Sequence, residues 1–183
     1  MVTGFLQKRF TFTSSNKMFF DTMTFIYRIL SFFVNIFSFI FALFLIILFP
    51  IALSTPSMLL PVFMLVAVVL YSWFSTQFRH KVLQRHQQVK HSLRDWVRVN
   101  GFVALFFCGL NVSSVIAMLR NPELVMSALK EMMKQYPAQM QQDIPQSSLN
   151  TGAYIMLAYF ISLSIHVLWT FALLKKHESF FEK

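Results

Sequence analysis

Residues 29–54 read ILSFFVNIFSFIFALFLIILFPIALS, a stretch without a single Asp, Glu, Lys or Arg. A helix needs about 20 mainly apolar residues to cross roughly 30 Å of hydrocarbon. This stretch is long enough, and it is too long to be the hydrophobic part of a cleavable signal peptide. We therefore expect it to be a first transmembrane helix that stays in the protein.

Three further uncharged stretches follow, at residues 59–77, 101–119 and 151–174. With the first, they predict an all-α, polytopic integral membrane protein in which residues 1–183 form one four-helix transmembrane domain. The predicted spans are about 29–53, 59–77, 101–119 and 152–174. Pro50 and Pro56 bracket the first connection, and because proline interrupts helical hydrogen bonding, we expect a tight turn there.

The composition supports a protein with a lipid-facing surface. Apolar residues make up 56% of the chain and charged residues 13%, whereas soluble domains average about 25% charged residues. A net charge of +9 would suggest nucleic acid in a soluble protein, but basic residues also collect beside membrane spans, so we expect no nucleic-acid binding. Cys108 is the single cysteine and rules out an intramolecular disulfide.

The charges between the spans predict the topology. Lys and Arg outnumber Asp and Glu before the first span, between the second and third, and after the fourth, whereas residues 120–150 are balanced. The positive-inside rule places the basic segments in the cytoplasm. We predict that both termini are cytoplasmic and that the membrane is the cell membrane or a bacterial inner membrane.

The two longer connections are both predicted to contain amphipathic helices. Residues 78–98 show helical apolar spacing, which indicates a helix on the inner leaflet or, alternatively, an extension of the second span. Its basic face is predicted to bind anionic lipid headgroups through Arg79, Lys81, Arg85, Lys90, Arg94 and Arg98. In the outer connection, 121–150, Asn121 and Pro122 predict a helix start; the helix should end at Tyr136, and 138–150 should be irregular.

Polar residues recur at helical spacing inside each span, which is typical of faces turned toward other helices. Span one has Ser31, Asn35 and Ser38 on one face, and span four has His166 and Thr170. At about 1.5 Å of rise per residue, we expect a candidate intramembrane polar layer formed by Asn35, Tyr71, Cys108, Asn111, Ser162 and His166. His166 either fastens helices by hydrogen bonds or carries a proton or ligand; an intramembrane histidine permits both.

No motif in the chain indicates an enzyme. Phosphate-loop, metalloprotease and nucleophile-elbow patterns are missing from the sequence, and His80, His86 and His91 lack metal-ligand spacing. We therefore expect no catalytic, cofactor-binding or metal-binding residues and no cofactor. The favoured hypothesis is a non-catalytic accessory, scaffold or assembly subunit with a membrane-protein partner or a homo-oligomeric state. The alternative is a small transporter or channel component built around His166.

Cysteine labelling tests the topology. With cytoplasmic termini, Arg85→Cys should react with a membrane-impermeant maleimide only after the cells are opened, while Gln141→Cys should react in intact cells. Both variants are made in a Cys108→Ser background. Labelling of Arg85→Cys from outside intact cells would reverse the predicted orientation.

Overall fold

The computed structural model describes residues 3–134 and 145–182. Four long helices dominate it: α1 (Thr3–Ser54), α2 (Leu59–Phe78), α3 (His91–Arg120) and α5 (Gln146–Lys176). A shorter helix, α4 (Pro122–Met133), connects α3 toward α5. All four long helices contain stretches apolar and long enough to cross a membrane. The predicted all-α architecture with four spans is confirmed.

Helix α1 is longer than the sequence predicted at both ends. It begins at Thr3 rather than near residue 29, and Pro50 lies inside it rather than in the turn. Pro50 has no N–H to donate to the carbonyl of Ile46, and membrane helices tolerate the loss of such a bond. The connection shrinks to Thr55 and a 3-10 turn at Pro56–Met58.

The four long helices pack as a closed ring. α1 contacts α2 and α5, and α3 contacts the same two helices, so α2 and α5 occupy opposite corners. Small and branched side chains fill the centre and are fully buried: Val34, Val68, Ala104, Leu163 and Val167. Large aromatic side chains on the outside are mostly exposed, among them Phe32, Phe39, Phe63, Phe102 and Phe106. Small side chains in the centre and large apolar side chains on the outside are expected for a helical bundle surrounded by lipid.

Gly101 marks the closest approach of α3 to α5. A Cβ atom at this position would lie 2.7 Å from the ring of Phe171 and 3.2 Å from a methyl group of Val167. Gly109, two turns further along α3, would meet nothing within 4 Å. The first glycine is therefore required by packing, whereas the second faces open space.

The predicted amphipathic helix over residues 78–98 is wrong as a single element. α2 continues through a π-helical turn at Arg79–Gln84, so the alternative of an extended second span holds only that far. His86 then takes a left-handed backbone conformation with φ of 50°, and strand β1 (Val89–Lys90) precedes α3. We call the region from the end of α2 to the start of α3, residues 79–98, the basic end of the bundle.

The reason for the break lies in the C-terminal segment. Strand β2 (Phe181–Glu182) pairs in parallel with β1. Phe181 stacks on Phe78 with ring centroids 6.1 Å apart, and it is only 7% exposed. The backbone of residues 89–90 thus bonds to a distant segment instead of continuing a helix, a pairing that local periodicity does not reveal.

The connection between the third and fourth spans, residues 121–150, agrees with the prediction at its start and differs near its end. α4 begins at Pro122, directly after Asn121, with Glu123 in its first turn. Its predicted end at Tyr136 lies outside the described residues. The irregular segment predicted to reach Asn150 is wrong for residues 146–150, because α5 begins at Gln146. A helix can extend past the hydrocarbon, where apolar content no longer marks its start.

A pair of glycine substitutions tests the α3–α5 packing. Gly101→Leu should lower the free energy of unfolding by about 1–3 kcal/mol, because the side chain overpacks the contact with Phe171. Gly109→Leu, the matched control, should be neutral or up to about 1 kcal/mol stabilising, since it replaces a helix-interior glycine. Denaturant unfolding in bicelles measures both; equal effects would contradict the packing described.

Candidate functional site

Three helices place polar side chains on the axis of the bundle. Ser31 comes from α1, Tyr71 from α2, and His166 and Thr170 from successive turns of α5. All four are at least 97% buried. Because His166 and Thr170 are four residues apart, they lie on the same face of α5 and meet the two side chains from the other helices.

Both ring nitrogens of His166 are hydrogen-bonded. Nε2 lies 2.8 Å from the hydroxyl oxygen of Ser31, and Nδ1 lies 2.8 Å from the hydroxyl oxygen of Tyr71. The two bonds join α5 to α1 and to the diagonally opposite α2. A ligand or metal could take either nitrogen only by displacing one of these partners.

The hydroxyl protons fix the direction of every bond in this network. Thr170 donates its proton to the backbone carbonyl of His166 at 2.7 Å, so Tyr71 must donate to Thr170 at 2.9 Å. The Tyr71 oxygen then accepts from Nδ1–H, and Nε2 accepts from Ser31, because a neutral imidazole has one donor and one acceptor. We therefore assign the neutral Nδ1–H tautomer of His166 from its bonding partners.

Tyr27 is the member that the sequence analysis missed. Its ring stacks on the imidazole of His166, with ring centroids 5.0 Å apart and planes 8° apart. Its hydroxyl donates a hydrogen bond to the Thr170 hydroxyl at 3.0 Å. It was missed because the predicted span began at residue 29, behind Arg28. The signal was nonetheless present: Tyr27 precedes Ser31 by four residues and continues the polar stripe by one turn.

Only two residues of the predicted polar layer come together, Tyr71 and His166. Asn35 lies between α1 and α2, where its Oδ1 accepts from Ser72 at 2.6 Å and from Thr76 at 3.0 Å. The other three make no hydrogen bond to Tyr71 or His166 in the described part of the chain. Cys108 is buried in the cluster that includes Tyr71, with Ser164 beside its thiol. Asn111 donates to the Phe107 carbonyl of its own helix, and Ser162 is half-buried.

The six predicted basic residues do not form one face. Arg94 pairs with Glu178 at 2.6 Å and lies 6.0 Å from the Phe181 ring. Arg79 is half-buried, and its buried Nε has no hydrogen-bond partner among the described residues. Arg85 is exposed. Lys81 and Lys90 border a groove that is described below.

The site as a whole is a neutral, water-excluding set of hydrogen bonds between helices. In the described part of the chain, no three His, Cys, Asp or Glu side chains come together in a group able to hold a metal ion. These features define a helical-bundle membrane protein with a closed polar core. Searches of protein-family models, curated proteins and solved structures find no match to this chain.

Substitution of His166 separates a structural from a chemical role. His166→Leu should lower the free energy of unfolding by about 0.6–2 kcal/mol, the range for interhelical hydrogen bonds in membranes. His166→Gln should retain most of the stability, because an amide can still bridge helices. Ser113→Ala is the control, since the exposed Ser113 hydroxyl donates to the Gly109 carbonyl of its own helix.

A chemical role for His166 would give a different result with the same two variants. If both variants unfold like the unmodified protein but lose all biological activity, then His166 carries a proton or a ligand and is not a structural fastener.

Proposed function

We propose that this chain is a non-catalytic membrane subunit that scaffolds or assembles with another membrane protein. The observation that carries the proposal is Asn35, whose amide oxygen is saturated while its amide nitrogen is not. Ser72 and Thr76 fill the two acceptor positions of Oδ1. No described residue accepts a hydrogen bond from Nδ2.

Asn35 borders a groove on the outer surface of α1 and α2. The groove has a volume of about 370 Å³ and is lined by Asn35, Ser38, Phe39, Ala42, Val69, Ser72, Trp73 and Thr76. A polar group left unpaired in hydrocarbon costs several kcal/mol, and acyl chains offer no acceptor. An occupant with a hydrogen-bond acceptor therefore fits this face better than lipid tails do.

The dimensions of the groove suit a transmembrane helix. Asn35 and Ala42 are about 10 Å apart along α1, or two helical turns. Ser38, Ala42 and Ser72 have small side chains, which allow close approach of a helix backbone. Phe39 and Trp73 are about two-thirds exposed at its sides. The Ser38 hydroxyl is buried without a hydrogen-bond partner among the described residues.

The partner helix is proposed to belong to a different protein. In a two-fold dimer of this chain, the same surface would face itself. If Asn35 lay on the two-fold axis, the two Asn35 side chains would present N–H groups to each other, because both oxygens are already occupied. A helix that offers a hydroxyl, amide or backbone oxygen at this depth meets the requirement.

A transporter or channel component is the alternative, and one observation favours it. Hydrogen bonds run continuously from Tyr27 through Thr170 and Tyr71 to His166 and Ser31, an arrangement through which protons can be passed. Against it, every member is buried and the donors terminate at a backbone carbonyl. Proton flux in proteoliposomes that His166→Gln abolishes would favour this alternative.

Co-purification of groove variants tests the proposed assembly. Ala42→Phe should fill the groove without touching the bonds of Asn35, and Asn35→Leu should remove the donor; each should reduce recovery of the partner at least tenfold. The matched controls are Gly109→Phe, where the described structure leaves open space, and Asn111→Leu. An undiminished partner in the Ala42→Phe sample, or a chain extracted alone from native membranes in mild detergent, would contradict the proposal.

A further inference from the structure

A second groove lies at the basic end, between the end of α2 and the start of α3. Its volume is about 490 Å³, and it is lined by Phe74, Gln77, Lys81, Gln87, Gln88, Val89, Lys90, Ser92, Leu93 and Trp96. We propose that this groove binds the phosphate-bearing headgroup of an anionic phospholipid. The site is independent of the partner helix proposed for α1 and α2.

The polar lining of this groove is suited to an anion. Lys81 and Lys90 are its charged members, and among the described side chains no Asp or Glu lines it. Lys81 donates one hydrogen bond to the Gln77 side chain at 3.2 Å, which leaves two ammonium donors. No described side chain pairs with Lys90. Because both lysines line the groove, their ammonium groups can act as point charges toward a bound phosphate.

The apolar wall points to a lipid rather than a free phosphate ion. Trp96 stacks on Phe74 with ring centroids 5.5 Å apart and planes 20° apart, yet Trp96 remains 51% exposed. Tryptophan at a membrane–water boundary places its apolar ring against the glycerol and upper acyl region. A phospholipid can contact both the lysines and the aromatic wall of the groove. Its phosphate would bind Lys81 and Lys90, and its acyl chains would pack against the rings of Phe74 and Trp96.

The remaining cations of the basic end do not compete for this role. Arg94 is held by Glu178, and Arg85 lies outside the groove. Asp95, one turn along α3 from Ser92, does not line the groove and pairs with His91 at 2.9 Å. Of the six basic residues predicted to contact headgroups, Lys81 and Lys90 are the two that line this groove, and the proposal assigns the phosphate contact to them.

Native mass spectrometry of the full chain in detergent tests the site, with titration of phosphatidylglycerol, phosphatidylcholine, glycerol phosphate or inorganic phosphate. One phosphatidylglycerol should bind more tightly than phosphatidylcholine and than either soluble phosphate. Lys81→Gln combined with Lys90→Gln should weaken that binding by about 10- to 30-fold, since each basic residue near an anionic lipid contributes about fivefold. Arg85→Gln, which removes the same charge outside the groove, should change it less than twofold.

A second variant keeps the test decisive if the lysine substitutions disturb the loop. Trp96→Ala should weaken phosphatidylglycerol binding but leave the weak binding of inorganic phosphate unchanged. If Arg85→Gln weakened phosphatidylglycerol binding as much as the double lysine variant, then general surface charge, and not this groove, would bind the lipid. If inorganic phosphate bound as tightly as the phospholipid, the ligand of the groove would be a free anion and not a lipid. If phosphatidylcholine bound as tightly as phosphatidylglycerol, the negative charge of the lipid would not determine binding.

Discussion

A polar side chain inside a bilayer has no water to bond, so its partners must come from the protein. His166 is the most demanding group of this kind here, because it has two ring nitrogens to satisfy at the centre of the bundle. Ser31 and Tyr71 satisfy them at 2.8 Å each. One imidazole ring thus joins α5 to both α1 and α2.

The rest of the bundle can be understood from that arrangement. Once α5 is joined to α1 and α2, α3 completes the ring by packing Gly101 against Phe171 and Val167. The C-terminal segment then turns back and adds β2 to β1, which fixes the basic end. The polar core is closed, whereas the Asn35 groove is open. This contrast supports the proposed role in assembly with another membrane protein.

The sequence predicted the features that depend on local spacing. Charge-free stretches identified the spans, and helical periodicity placed Ser31, His166 and Thr170 on inner faces. Depth along a helix axis put Asn35 level with His166, but depth does not fix the rotation of each helix. Asn35 consequently faces Ser72 and Thr76 instead. The pairing of residues 89–90 with 181–182 joins segments about ninety residues apart, so no local pattern predicted the break after Gln84.

The most direct measurement of this account is a double-mutant cycle between Tyr71 and His166, followed by unfolding in bicelles. Tyr71→Phe and His166→Leu each remove the hydrogen bond between these two side chains, so the second substitution should cost less once the first is present. The bond from Tyr71 to Thr170 is lost only in Tyr71→Phe and cancels in the cycle. We expect a coupling free energy of about 0.6–1.7 kcal/mol, which spans the average and the maximum for interhelical hydrogen bonds in a membrane protein. Strictly additive losses would show that this bond does not hold the bundle together.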